Sequence, residues 1–312
     1  MSAVLRFAVE LVPALAVGLV LGRLRPGLPA RLAPPLVHWG VPLSMVGLLL
    51  RAGLQRDLAL AAAIGALVSG GGLLLIRLLP PLARLLGPGT LQLGSVVGNT
   101  AYWGLPAALA LLPPSTLSHV IGYDLAGTLV TWSVGPLLVE GVAARPRAVL
   151  AALLASPASR GLGLAVALAC TPWSQPLASL LWWPARAVLL LALVLVGMRL
   201  GLLLAAPTPE QTRTRPPAQG LALALTSKLL LLPALLYGLA SLLPLPLPVG
   251  QAVVLQAAAP TAISVLLIGE AAQSRGRSGE AGPAAALVLG STLAALITVP
   301  LWGLVLKTLP AG

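Results

Sequence analysis

Two short polar runs interrupt long apolar stretches of this chain, and their residue types suit recognition of a small solute. The first reads Gly98-Asn99-Thr100-Ala101-Tyr102-Trp103-Gly104-Leu105-Pro106, the second Gln256-Ala257-Ala258-Ala259-Pro260-Thr261-Ala262-Ile263-Ser264. Proline inside a helix removes one backbone hydrogen bond and clashes with the preceding turn. The freed carbonyls, with Asn99, Thr100, Gln256 and Thr261, then need partners, which in apolar surroundings are protein, water or a guest. Gly104, Pro106, Pro260 and Ser264 complete the candidate binding set. A half-helix starting in such a break offers partial positive charge and free N–H groups to an anion; one ending there offers carbonyls to a cation. A proline kink in an ordinary span would be the bland account of either run alone. Matched position and matched polar neighbours favour a site.

Other chemistry-bearing residues are few. The seven acids are Glu10, Asp57, Asp124, Glu140, Glu210, Glu270 and Glu280. Asp124 falls well inside an apolar segment beside Tyr123, where a carboxylate is a candidate proton carrier or cation ligand, or a structural acid held by neighbouring hydroxyls. Gln92 and Ser95, one or two turns before Asn99, add polar atoms that suit Na+, and coupling to Na+ or H+ is open on these residues. Glu270, near Arg275 in sequence, reads as a solvated interface residue. Cys170 is the only cysteine, and His38 and His119 stand far apart, so no Cys- or His-based metal centre and no cofactor is expected. A membrane-embedded lipid-modifying enzyme would need clustered acids or a His/Asp pair to hold metal or move protons, and neither is present. The chain is not expected to be an enzyme. A receptor or assembly subunit that binds without vectorial flux is the other alternative.

The elements that must position these residues are membrane helices. The chain of 312 residues is 58% hydrophobic and 8% charged, with mean hydropathy +0.99. That much apolar surface cannot be hidden from water, and in lipid the backbone must satisfy its own hydrogen bonds. Apolar runs of helical length without strand-like alternation give ten spans: 5–22, 36–50, 58–79, 90–112, 118–140, 158–173, 177–200, 220–243, 249–271 and 283–306. The first is expected to be a retained span rather than a cleaved signal. Residues 146–157 are apolar but short and read as an interfacial helix ahead of the sixth span. Gly70, Gly71 and Gly72 beside Ser69 would allow close helix approach in the third.

Net charge is +12. No basic, aromatic-interleaved soluble domain carries it, so nucleic acid is excluded as a partner. Instead Arg23, Arg25, Arg31, Arg77, Arg84, Arg145, Arg147, Arg160, Arg199, Arg213, Arg215, Arg275 and Arg277 fall on alternate connections or the helix ends beside them. Short cytoplasmic loops carry the Lys/Arg excess, so both termini are expected on the non-cytoplasmic side of the cell (inner or plasma) membrane. Arg186 and Lys228 lie inside spans and would either snorkel or serve a solute or partner.

The two polar runs sit about half a chain length apart, in the fourth spans of two five-span halves. Because five is odd, the second half enters the membrane in the opposite sense, the pattern of an inverted repeat whose discontinuous helices meet near the midplane. At these residues a resemblance emerges. GNTAYWGLPAALAL (98–111) resembles the Asn-Thr-x-x-x-Gly-Leu/Ile-Pro motif of the auxin efflux carrier family, and QAAAPTAISVLLIGE (256–270) is similar to its Gln-Ala-Ala-x-Pro stretch. HVIGYDLAGTLVTWSVGPLLVE (119–140) resembles the fifth helix of bacterial permeases of that family.

The resemblance implies an all-α, bile-acid-symporter-like fold of ten transmembrane helices in two inverted five-helix repeats, with broken helices 4 and 9 crossing. It implies one membrane transport unit over 1–312. Residues 1–56 and 145–219 would form a scaffold, usually dimeric, and residues 57–144 and 220–312 a moving transport part. Elevator-like motion would expose a small organic anion, such as a carboxylate, alternately to the two sides. Plant members export auxin; the long loop they carry after span five is missing here, which puts auxin itself in doubt.

Overall fold

The computed structural model describes residues 3–54, 56–141, 146–205, 217–243 and 245–309. Arg145, Glu210, Arg213 and Arg215 lie outside the described residues. Among these residues the chain is all helical, and its one β-like feature is an isolated bridge.

Six helices are long and apolar enough to cross a bilayer: α1 (Ala3–Leu24), α2 (Leu28–Ala52), α3 (Arg56–Leu78), α10 (Ser174–Ala205), α11 (Ala218–Leu242) and α14, whose α-helical part is Ala281–Val305. Between α3 and α10 lie α4 (Pro80–Leu86), α5 (Gly89–Gly94), α6 (Leu105–Leu111), α7 (Leu117–Glu140), α8 (Pro146–Ala155) and α9 (Pro157–Ala169). Between α11 and α14 lie α12 (Leu247–Ala257) and α13 (Ile263–Ser274). A five-residue π turn, Thr100–Gly104, leads into α6. Helix α7 has the length of a span, 24 residues, but is lined with buried polar groups, His119, Asp124, Thr131 and Ser133. Helices α8 and α9 meet at 68°. Ser156 sets that corner, its hydroxyl accepting from Ser159 N–H at 3.1 Å as the N-cap of α9. The protein is therefore a polytopic helical membrane protein, and its surface agrees: Trp39, Leu67, Trp183 and Leu242 all project outward, Leu242 with 84% of its area exposed. In water such a surface would drive association; in hydrocarbon it costs nothing.

Two groups of helices pack together. In one, α10 lies along α1 and α2, and α9 along α2. Lipid tails give no hydrophobic drive to helix pairing, so close approach and dispersion must hold these helices. Gly18 and Gly22 of α1 face Val194, Gly197 and Met198 of α10, and Gly197 and Gly201 in turn face Leu15 and Leu19. A Cβ at any of the four would strike the partner's backbone. In the other group α3 runs against α7 through Gly65 and Gly122, and α7 contacts α5, α12 and α13. Helix α14 packs on α5, α11 and α13.

The connections near residues 87–90, 140–141, 217 and 275–280 gather at one end. Glu280, before α14, accepts from Gly89 N–H (3.2 Å), Thr90 N–H (2.9 Å) and Thr90 Oγ1 (2.9 Å). Arg275 pairs with Glu140, and Gly87 lies against Pro217. At the opposite end Tyr237 bonds Thr308, 2.9 Å away. Replacing Gly197 by Leu should therefore destabilise the α1–α10 contact by about 1–3 kcal/mol. Gly163→Leu is the control, since a Cβ there meets nothing within 4 Å. Unfolding temperatures of the two variants in detergent check this: a large drop is expected for the first alone.

Candidate functional site

The helical groups meet where two helices fail. After α5 the chain leaves the helix at Ser95 and restarts at Thr100; after α12 it leaves at Ala258 and restarts at Ile263. Gly98 and Thr261 face each other as an antiparallel bridge. Asn99 N–H donates to Pro260 O at 2.7 Å, and Ala262 N–H to Val97 O at 3.4 Å. Each break thus satisfies backbone groups that the other has freed. The first break lies seven residues before Pro106. That proline lies six residues inside the half-helix that restarts at Thr100, directly after the π turn Thr100–Gly104, so the chain leaves the helix at Val97–Asn99 and not at the proline.

Side chains lock the crossing. Gln256, fully buried, donates its Nε2 to Thr100 O (3.3 Å) and Val120 O (3.1 Å). Two carbonyls on one side fix the amide's orientation and turn Oε1 toward Gly104, where a Cβ would collide with it. Thr261 Oγ1 donates to Gly94 O at 2.9 Å, closing the end of α5, while Thr261 N–H donates to Ser291 Oγ of α14 at 3.1 Å. Lys228 is buried beneath the crossing, 1% exposed, and its Nζ donates to Ala257 O at the C-terminal end of α12. A Cβ on Gly98 would sit 3.1 Å from that Nζ. Lys228 therefore does not snorkel. Arg186 stacks its guanidinium 5.7 Å from the Trp182 ring, which Arg51 also covers at 5.5 Å.

A cavity of about 70 Å³ opens beside the bridge. Ser44, Met45 and Leu48 of α2 and Leu189 of α10 line one wall. Asn99, Thr100, Asp124, Thr128 and Ser264 line the other. Both new half-helices begin here, with Asn99–Ala101 at the start of one and Ala262–Ser264 at the start of the other bordering the same space. Asp124 Oδ1 accepts from Thr100 Oγ1 at 2.6 Å and from Thr128 Oγ1 at 3.3 Å. The Asn99 side chain is 5% exposed and makes no hydrogen bond among the described residues.

Of the residues singled out from sequence, Asn99, Thr100, Ser264 and Asp124 share the cavity. Gln256, Pro260, Thr261 and Gly104 build the crossing around it, and Pro106 faces a separate cleft with Glu10 and Arg186. Gln92 and Ser95 lie outside the cavity lining: Gln92 Nε2 donates to Gly87 O at 2.8 Å, and Ser95 Oγ to Gln92 O at 2.8 Å. Glu270 is ion-paired with Arg199 of α10 at 3.1 Å and not with Arg275, whose partner is Glu140. Nothing in the sequence marks the roles of Ser291, Thr128 or Glu280, because a hydroxyl in an apolar run or an acid in a loop carries no signal until its partner is known.

Residues 187–310 match the family model of the Sodium Bile acid symporter family, a stretch from within α10 through α14 that covers less than half of the chain. The match includes the second break but not the first. No curated protein matches the chain. The family match supports the bile acid:sodium symporter-like superfamily and, with the apolar helices, a membrane transporter. A sodium ion, which that family's name implies, would be expected on carbonyls at half-helix C-termini. Here the Ala257 carbonyl already holds the Lys228 ammonium, so the C-terminal end of α12 does not fit sodium.

Gln256→Leu should remove the second donor to the Thr100 carbonyl, which keeps the Leu105 N–H, and to the mid-helix Val120 carbonyl, at a cost of about 1 kcal/mol. The measurement is the thermal unfolding midpoint in detergent. A midpoint equal to wild type would show that the amide does not hold the crossing.

Proposed function

We propose that this chain is a secondary carrier, active or facilitative, that moves a small carboxylate-bearing organic solute through the crossing of its two broken helices. We read it as a ten-span inverted repeat: α1, α2, α3, the 89–111 pair and α7 in the first half, α9, α10, α11, the α12–α13 pair and α14 in the second. The single observation that carries the proposal is the antiparallel contact of Gly98 with Thr261, beside a cavity that receives two half-helix N-termini. In the auxin efflux carrier family, which the broken segments resemble, such a crossing holds the solute. The cavity's two walls come from the two packing groups, α2 and α10 against the crossing and α7. Sliding one group past the other would carry the guest across, the elevator motion, with residues 1–56 and 145–219 as scaffold and 57–144 and 220–312 as the moving part. The Arg199–Glu270 pair joins the two parts and would have to open in that motion. The resemblance adds a homodimer through the scaffold. The arginine-rich connections would face the cytoplasm, with both termini opposite. Movement without Na+ is favoured by Lys228, which holds the place a coupling cation would take.

Two experiments test this. Asn99→Ala and Pro260→Ala should each lower solute flux in proteoliposomes more than about tenfold, without loss of folded protein; transport unchanged in both removes the crossing as the site. Independently of any solute, a chain with Cys170→Ser and a single cysteine placed by Ser264→Cys should react with an impermeant maleimide from both membrane faces. Labelling from one face only would rule out alternating access.

A further inference from the structure

Four half-helix ends converge at the crossing, and the chain's own charges already answer them. The two C-terminal ends, at Gly94 and Ala257, face away from the cavity, and Ala257 O is bonded to the Lys228 ammonium. The two N-terminal ends, at Asn99–Thr100 and Ala262–Ile263, face into it. Each N-terminus carries about half a positive charge, so the pair brings about one to the cavity. Asp124 stands in the same wall, tied to the first residue of one half-helix through Thr100 Oγ1 at 2.6 Å. Its Oδ1 takes both hydroxyl donors, while its Oδ2 makes no hydrogen bond among the described residues and borders the cavity. No Lys, Arg or His lines the space. The empty site is thus close to neutral overall, with separated positive and negative receptors. A simple carboxylate would leave one negative charge unanswered in apolar surroundings, and a simple amine would leave one positive charge so.

We propose that the guest is a small zwitterion, its carboxylate received by the two half-helix N-termini and the unpartnered Asn99 amide, its ammonium by Asp124 Oδ2. Met45, Leu48, Ile121, Leu189 and Trp132 complete the walls, an apolar lining for an aliphatic or aromatic substituent. The proposal rests on the carrier reading above and narrows its solute: the carboxylate comes with its own counter-charge, and neither sodium nor a second solute is needed to neutralise it.

The test uses matched triplets built on glycine, alanine, leucine and phenylalanine: each amino acid, the same acid without its amine, and the same amine without its carboxyl. The purified chain is challenged with every member, by thermal shift and by counterflow in sodium-free proteoliposomes. The amino acids alone should shift unfolding and exchange. In Asp124→Asn the response to amino acids should fall roughly tenfold to a hundredfold, and the deaminated acids should gain, because the site then carries net positive charge. Asp124→Asn without ligand must unfold within a degree or two of wild type; where it does not, Asp124→Glu, which keeps the charge, must restore the amino-acid preference. The proposal is overturned if deaminated acids match or exceed amino acids on the wild type, if acid-stimulated flux of a simple carboxylate disappears in Asp124→Asn, or if no triplet member acts. In each of those cases two-sided labelling at position 264 leaves the carrier reading standing, and one-sided labelling removes it as well.

Discussion

Within a bilayer no water is available to satisfy a broken helix, so a chain that interrupts two of its spans must make the interruptions serve each other. The Asn99 N–H to Pro260 O bond at 2.7 Å is that service. It lies beside an antiparallel bridge of minimal length, one residue pair, and the rest of the structure is arranged to keep it in place. Gln256 anchors the half-helix beyond the first break, Thr261 closes the helix before it, and Ser291 holds the second break to α14. An unsatisfied backbone group in hydrocarbon costs several kcal/mol, so removing one break without the other would leave donors and acceptors stranded.

The arrangement separates rigidity from chemistry. Gln256 and Thr261 are wholly buried and point away from the cavity, so the polar residues that look most like binding groups in sequence are the ones that build the frame. Asn99, Thr100, Ser264 and Asp124 remain for a guest. The division follows from helix polarity. Both C-terminal ends turn toward protein, where Gly94 O meets the Thr261 hydroxyl and Ala257 O meets Lys228; both N-terminal ends turn toward space. Lys228, buried with no ion-pair partner among the described residues, is tolerated because the carbonyl end of α12 supplies the negative potential it needs.

Packing between the helical groups differs in kind from packing inside them. Within the α1–α10 pair backbones touch through glycines, an interlock that resists sliding. Between the groups the contacts include Met45, Leu48 and Leu189 across the cavity, an edge-on pair of the Phe7 and Trp103 rings, and at one end the Arg199–Glu270 ion pair. Flexible apolar side chains and one exchangeable ion pair can be rearranged without breaking backbone hydrogen bonds, which is the property relative motion requires.

Composition alone determined the membrane and the helices, because only helices or closed barrels satisfy a backbone in lipid and the apolar runs have helical length. Spacing of the polar runs determined that something at residues 98–106 and 256–264 had to be compensated. The corner at Ser156 was legible too, since the apolar run ahead of it is too short to span and Pro157 follows. What only tertiary structure decided is which atoms do the compensating. The prolines mark the right helices, yet in the first the break falls at Val97–Asn99, where the bridge to Thr261 and the Asn99 N–H to Pro260 O bond draw the chain out of the helix, while Pro106 follows a π turn inside the new half-helix. Whether Lys228 reached for the interface or the interior, and whether Glu270 found Arg275 or Arg199, depended on neighbours brought together from more than twenty residues away. A side chain's local sequence fixes what it can bond; the crossing of distant helices fixes what it does bond.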